Sequence, residues 1–307
     1  MIAADGLMKR YGRLDALRGL SLRVPAGAVY GFIGPNGAGK TTTMRILAGL
    51  LLPDGGRAEV AGCDVLGDRR ALHDAVGYMP DFFGVCDDLR VGEYLEFYAA
   101  AHGIRGPRVR KLRDDLLELV DLAAKRDALV EHLSRGMQQR LCLARALVHG
   151  PAVLLLDEPA SGLDPLARVE MRELLKELGR MRKTVLISSH ILSELADLCS
   201  HVGMVLGGRT VREGTVGEVL AGASRRRLQL RLHGAAAGAE GAVADWPGVS
   251  GVQVAGETQE FSLDGGLDAV AALLRCLVEA GLPVVHFAET ERSLEDAYLE
   301  LARGAGA

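Results

Sequence analysis

Residues Gly34-Pro35-Asn36-Gly37-Ala38-Gly39-Lys40-Thr41 fit the phosphate-loop pattern G-x-x-x-x-G-K-[ST]. No other stretch restricts the fold so tightly. An apolar, strand-like run, Ala28 to Ile33, precedes it, and Thr42 to Ala48 follow with apolar residues at helical spacing. Glycines at 34, 37 and 39 let the backbone curl so that its N–H groups line a nest for oxyanions. A helix starting near Lys40 adds its positive end. Lys40 brings a mobile charge to β- and γ-phosphates, and the Thr41 hydroxyl is a ligand for Mg²⁺. The loop therefore predicts a nucleoside triphosphate site, with Pro35, Asn36, Ala38 and Thr42 completing its contact surface.

A second carboxylate-bearing element supports this reading. Val153-Leu154-Leu155-Leu156-Asp157-Glu158 is apolar until it ends in two acids. A strand buried on both faces is continuously apolar, and ligands of an open α/β sheet bind beyond its carboxyl ends. Asp157 is placed to hold Mg²⁺, directly or through water. Glu158 is placed to orient and deprotonate an attacking water.

The rest of the chain predicts an α/β architecture. Short strand-like runs fill residues 1–33, further strands are expected at 57–65 and 76–79, and helical periodicity holds from Val91 to about Val148. The βα alternation then resumes with 152–156, a helix near 165–180, the strand 184–187, a helix from about 190 to 199 and the strand 202–206. A helical subdomain of about 86–148 thus interrupts a parallel-sheet core. Beyond about residue 222 the pattern changes. Leu228, Leu230 and Leu232 alternate, two short strands carry Val252/Val254 and Phe261/Leu263, a helix occupies 267–280 and a strand 284–287. That β-α-β-β-α-β order is ferredoxin-like. A last helix opens on Ser293-x-x-Asp296, which resembles a capping box. The expected division is 1–222 and 223–307.

Composition excludes several classes. Across 307 residues the formal net charge is −4, so no nucleic-acid footprint is expected; Arg225-Arg226-Arg227 reads as a solvated junction. Cys63, Cys86, Cys142, Cys199 and Cys276 contain no C-x-x-C and the histidines no i, i+4 pair. That argues for a reducing compartment and against a zinc site. No secretory signal opens the chain and no apolar run approaches 18 residues, so a cytosolic protein, or one held at a membrane by a partner, is expected.

Leu133-Ser134-Arg135-Gly136-Met137 shortly precedes the acidic strand and resembles the L-S-G-G-Q signature of the ATP-binding cassette (ABC) family; Arg135 and Met137 depart from it. Ser161-Gly162-Leu163-Asp164 resembles that family's D-loop, and His190 follows an apolar strand as its switch histidine does. The resemblance covers roughly residues 1–220. It implies a P-loop ATPase core with an antiparallel β subdomain, ATP and Mg²⁺ as ligands, and Tyr11 stacked on adenine. It also implies that Ser134, Arg135, Gly136 and Met137 act on ATP held by a second subunit, in a head-to-tail pair. His190 would then bond the γ-phosphate. Asp81 stands where the family usually carries a glutamine. Phe82, Phe83, Val85 and Leu89 lie where transport cassettes form the groove for a helix of the membrane subunit. The ending Ser293–Leu301 resembles ATPase subunits of bacterial ABC-2 type exporters. The implied protein is peripheral on the cytoplasmic face of the cell membrane, bound to a separate permease. A ribosome- or DNA-associated ATPase and a nucleotide-gated regulatory module are the competing readings.

Overall fold

Alternating apolar residues near the N-terminus build a first sheet. In the computed structural model, which describes residues 1–81, 84, 88–221, 225–233, 243–290 and 293–304, β1 (Ile2–Tyr11) and β2 (Leu14–Val24) form an antiparallel hairpin. β4 (Gly55–Val60) and β5 (Cys63–Asp64) extend it in the order β2-β1-β4-β5. The short runs expected over 1–33 are thus two strands of 10 and 11 residues. Their glycines do not break them; the register shifts around Gly6, whose φ of 60° marks a bulge. The single strand expected at 57–65 is split by a turn at Ala61-Gly62, both with positive φ.

β3 (Val29–Ile33), β6 (Val76–Met79), β7 (Val153–Asp157), β8 (Thr184–Ser189), β9 (His201–Leu206) and β10 (Arg209–Thr215) make a six-stranded sheet ordered β10-β9-β3-β8-β7-β6. All its neighbours are parallel except β9 and β10. Every residue of β3, β7 and β8 is buried, as strands covered on both faces must be. β10 was not anticipated; Gly207 and Gly208, with φ of 54° and 77°, make the two-residue turn that a tight hairpin requires.

Between β6 and β7 lie α3 (Val91–Ala101), α4 (Pro107–Leu119) and α5 (Arg135–Leu147), joined by two 3₁₀ turns. α1 (Lys40–Leu47), α2 (Arg69–Ala75) and α6 (Pro165–Arg180) serve the sheets. The helix expected over 190–199 shrinks to α7 (Ser193–Ala196), because Ser189 turns the chain first: its hydroxyl accepts from Ile191 N–H at 2.9 Å. The expected P-loop core with its antiparallel β subdomain and inserted helices is therefore what forms.

The chain divides into two compact units, Met1–Val216 and Gly217–Ala307. In the second, β11 (Arg225–Leu232), β12 (Val249–Ala255), β13 (Thr258–Asp264) and β14 (Val284–Glu289) form an antiparallel sheet ordered β12-β13-β11-β14. The first strand sits between the third and fourth, the arrangement of a split β-α-β unit. Leu228, Leu230 and Leu232 point into its core with Phe261, Leu273 and Leu277. The final helix, Leu294–Gly304, is capped as its sequence suggests. Ser293 N–H donates to Asp296 Oδ2 at 3.1 Å, and Asp296 N–H donates to Ser293 Oγ at 3.2 Å.

One contact ties the inserted helices to the core. His102, at the end of α3, stacks on His149, just past α5, with centroids 4.1 Å apart. His149 Nε2 lies 3.1 Å from the Val76 carbonyl, so the neutral ring donates there and its buried, unpartnered Nδ1 is the bare nitrogen. Burial first, and then the His102 ring, hold the His149 pKa below its ordinary 6.5; the Val76 bond and Asp74 pull it up, and Lys183 opposes them. A depressed histidine favours the folded state fully above the unfolded value and loses that advantage as pH falls through it. His149→Gln is expected to flatten the decline in thermal midpoint between pH 7 and 5.5 relative to the parent; parallel profiles would refute this.

Candidate active site

The phosphate loop starts where β3 ends, and its glycines are there for space as much as for curvature. A Cβ on Gly34 would stand 2.5 Å from the Val205 carbonyl oxygen of β9. On Gly39, whose φ is 104°, it would stand 2.6 Å from Leu17 Cδ2 and 2.8 Å from Ala16 O of β2. Gly208 N–H donates to Ala38 O at 3.1 Å, and Arg18 N–H donates to Gly208 O at 2.9 Å. The loop is thus held between β2, β9 and the β9–β10 turn. Pro35, Asn36 and Gly37 are exposed at its crest, while Thr41 and Thr42 are half-buried in the first turn of α1.

Lys40 is 6% exposed, and its ammonium donates to Gly34 O at 2.6 Å and to Pro35 O at 3.3 Å. Its third neighbour is Glu158 Oε1, 3.2 Å away. The other Glu158 oxygen lies 2.7 Å from His190 Nδ1. Glu158 therefore joins a lysine from the end of β3 to a histidine from the end of β8. Its own backbone sits at a φ of 51°, rare for a residue with a side chain. Its N–H is anchored by Ser188 Oγ at 2.9 Å.

The Ser188 hydroxyl in turn donates to Asp157 Oδ1 at 2.6 Å. Asp157 is fully buried, and its Oδ2 has no hydrogen-bond partner. Burial pushes this carboxyl above the usual range, opposed by Ser188 and the Thr41 hydroxyl and reinforced by Asp81 and Glu158. A bare buried oxygen beside a threonine hydroxyl suits a hard cation, which takes oxygen donors. Among the described residues no group of three or more His, Cys, Asp or Glu could hold a metal. A cation here would thus need phosphate or water oxygens as well, the habit of Mg²⁺. Asp81 is exposed on the segment after β6, within electrostatic reach of Asp157.

The signature residues lie elsewhere. Ser134 caps α5, its Oγ accepting from Met137 N–H at 3.3 Å. A Cβ on Gly136 would stand 2.8 Å from Ala167 Cβ of α6, and one on Gly162 would stand 2.4 Å from the Arg135 guanidinium carbon. Asp164 caps α6, accepting from Ala167 N–H at 2.8 Å. Residues 134–137 and 161–167 form one surface. Among the described residues no hydrogen bond or ion pair joins that surface to the phosphate loop. Tyr11 ends β1 with its ring 45% exposed. Phe82, Phe83 and Val85 lie outside the described residues, and Leu89 is accounted for by its carbonyl, which accepts from Val130 N–H at 2.9 Å. Sequence reasoning missed Ser188, which orients both acids. Its signal was a Ser-Ser-His run closing an apolar strand.

A parallel sheet with a phosphate loop at one strand end and paired carboxylates at another defines a P-loop nucleoside triphosphatase fold. Comparison with known proteins narrows the class. Residues 17–161 match the ABC transporter family. Daunorubicin resistance ATP-binding protein DrrA3 of Streptomyces coeruleorubidus is 37% identical over 302 residues, covering 98% of this chain and 95% of the relative. Nod factor export ATP-binding protein I of Ralstonia nicotianae is 38% identical over 220 residues, covering 72% of this chain and 68% of the relative. The solved ATP binding subunit of an ABC transporter superposes with a TM-score of 0.65 at 26% identity, covering 71% of this chain and 91% of that one. A dimeric bacterial ABC transporter cassette gives 0.64 at 26%, covering 70% and 99%. The chain belongs to the ABC transporter family.

The crowding at Gly39 yields a direct test. Gly39→Ala is expected to cost about 1–3 kcal/mol, from strain at its positive φ and contact with β2, and to lower the thermal midpoint by several degrees. An unchanged midpoint in calorimetry would contradict the crowding.

Proposed function

We propose that this chain is the ATP-hydrolysing subunit of an ABC-2 type export system, bound to a separate membrane-spanning permease. The observation that carries the reading is the Lys40–Glu158–His190 cluster at the mouth of the phosphate loop, with Asp157 and Thr41 beside it. The export-linked names of two relatives, and their coverage of this chain, support the direction of transport. Among the described residues no helix is long and apolar enough to cross a membrane, which suits a subunit that borrows its channel.

ATP would lie along residues 34–42, its base against Tyr11 and its β- and γ-phosphates against Lys40. At about 4 Å and an effective dielectric of about 20, one charge pair is worth about 4 kcal/mol before desolvation. A triphosphate carries several charges, so it would draw Lys40 away from the single Glu158 carboxylate. Thr41 and Asp157 would hold Mg²⁺, which supplies charge neutralisation on the phosphate oxygens when bound. Glu158, released from Lys40 but still bonded to His190, would accept a proton from the water whose oxygen bonds to the γ-phosphorus as the bond to ADP breaks. His190 would orient that carboxylate and the γ-phosphate.

The surface of Ser134, Arg135, Gly136, Met137 and Asp164 would face the ATP of a second copy in a head-to-tail dimer, which hydrolysis opens. The dimeric cassette among the structural neighbours supports such pairing. Asp81 would fix its loop against the permease rather than ligate metal, because a third acid beside Asp157 and Glu158 is electrostatically costly. Residues 223–307 would serve as an accessory domain outside the nucleotide chemistry.

Glu158→Gln is expected to slow hydrolysis by roughly 10²-fold or more while ATP affinity is kept, and to accumulate a dimer with Mg-ATP on size-exclusion chromatography. Wild-type turnover would remove Glu158 from the base position. Lys40→Ala is expected to abolish ATP binding, measured by equilibrium dialysis; near-wild-type affinity would sink the phosphate-loop assignment.

A further inference from the structure

The ladder between β1 and β4 stops at Met8 and Gly55, three residues short of Tyr11. Beyond it, a side chain takes over the role of a strand. Asp54 N–H donates to Met8 O at 2.8 Å. Its carboxylate then reaches along β1, where Oδ2 accepts from Arg10 N–H at 2.7 Å and Oδ1 from the Lys9 ammonium at 2.7 Å. The Lys9 bond first, and the Arg10 N–H second, hold this carboxyl below the usual range. Lys9 Nζ also lies 5.9 Å from the centroid of the Tyr11 ring, within cation–π reach. On the β2 side the register slips between Lys9 and Arg10, so that strand alone does not fix the end of β1. Lys9, Arg10, Leu17 and Asp54 line a cleft of about 460 Å³. Leu17 is also the residue against which Gly39 of the phosphate loop is crowded.

We propose that Asp54 is a positioning residue for the nucleotide base: by substituting for the missing strand partner of Arg10 and holding Lys9 beside the ring, it sets where Tyr11 stands over the cleft. It touches no phosphate and takes no part in hydrolysis. The inference rests on the reading of Tyr11 as the base-stacking residue. Its consequence is selective: Asp54 governs the share of affinity that comes from the base and leaves the triphosphate share alone. Asn at this position would keep an acceptor for Arg10 N–H but lose the charge that holds Lys9.

The test compares a ligand with a base and one without, on the full chain. Dissociation constants for the Mg complexes of β,γ-imido-ATP and of inorganic tripolyphosphate are measured by calorimetry. Tyr11→Ala is expected to weaken the imido nucleotide about ten-fold, the scale of a lost base stack, and to leave tripolyphosphate unchanged. Asp54→Ala is expected to weaken the nucleotide about three-fold, the scale of an exposed ion pair, again without effect on tripolyphosphate, and Asp54→Asn less than that. Combining Asp54→Ala with Tyr11→Ala should add nothing to Tyr11→Ala alone, because both act through one ring. Equal weakening of both ligands by Asp54→Ala, or by Asp54→Asn should the alanine variant not fold, would show a merely structural role and overturn the proposal. So would unchanged nucleotide affinity in both Asp54 variants while Tyr11→Ala is impaired. No effect of Tyr11→Ala itself would be a different failure, that of the base-stacking reading, and the proposal would fall with it.

Discussion

Lys40 and Glu158 meet because three parallel strands finish at the same level. β8 lies between β3 and β7, with Ser189 opposite Ile33 and Ser188 opposite Asp157. The chain segments leaving these strands therefore emerge side by side, carrying the phosphate loop, Glu158 and His190. Parallel neighbours need crossovers, which here are helices, so residues distant in sequence arrive at one edge without any long loop. The continuous burial of β3, β7 and β8 fixes that register, since any slip would leave their backbone groups unpaired in a dry interior. Chemistry at the edge is a by-product of how the core must pair.

Within the cluster, charge is unevenly shared. One ammonium faces Glu158, with Asp157 and Asp81 close by. Lys40 is also bound to two carbonyl oxygens of its own loop. That grip holds the loop closed and leaves the cation pointing across its mouth. Asp157, raised by burial and bonded through one oxygen only, is a costly group to keep unless something positive offsets it. The strained backbone of Glu158 belongs to the same economy. Ser188 holds both acids, and a relaxed φ would carry the Glu158 carboxylate off the line between Lys40 and His190.

Much of this was legible in the sequence. The phosphate loop and the acidic strand each combine a special-purpose residue set with the periodicity of the element that bears it, so type, place and chemistry agree. The inserted helices followed from their 3.6-residue period, and the last helix from its Ser293–Asp296 cap. What escaped was whatever depends on partners far away in the chain. β1 and β2 looked broken because their glycines act as bulges, which only cross-strand register reveals. α7 proved short because the Ser189 hydroxyl competes for the backbone. Ser188, and the crowding of Gly39 by Leu17, are pairings between residues more than 20 positions apart. No local pattern encodes them.

The Gly207-Gly208 turn joins the last two strands of the large sheet, yet it also accepts from Arg18 of the small sheet and donates to Ala38. Two separate layers are stitched together at the loop itself. A displacement of either layer would tug on the same few amide groups that curl around the anion. The nest is thus a rivet through both sheets, and its curvature reports their spacing. Substitutions that alter how the antiparallel layer rides on the parallel one would be felt as changed phosphate affinity, although none of them lies near a phosphate.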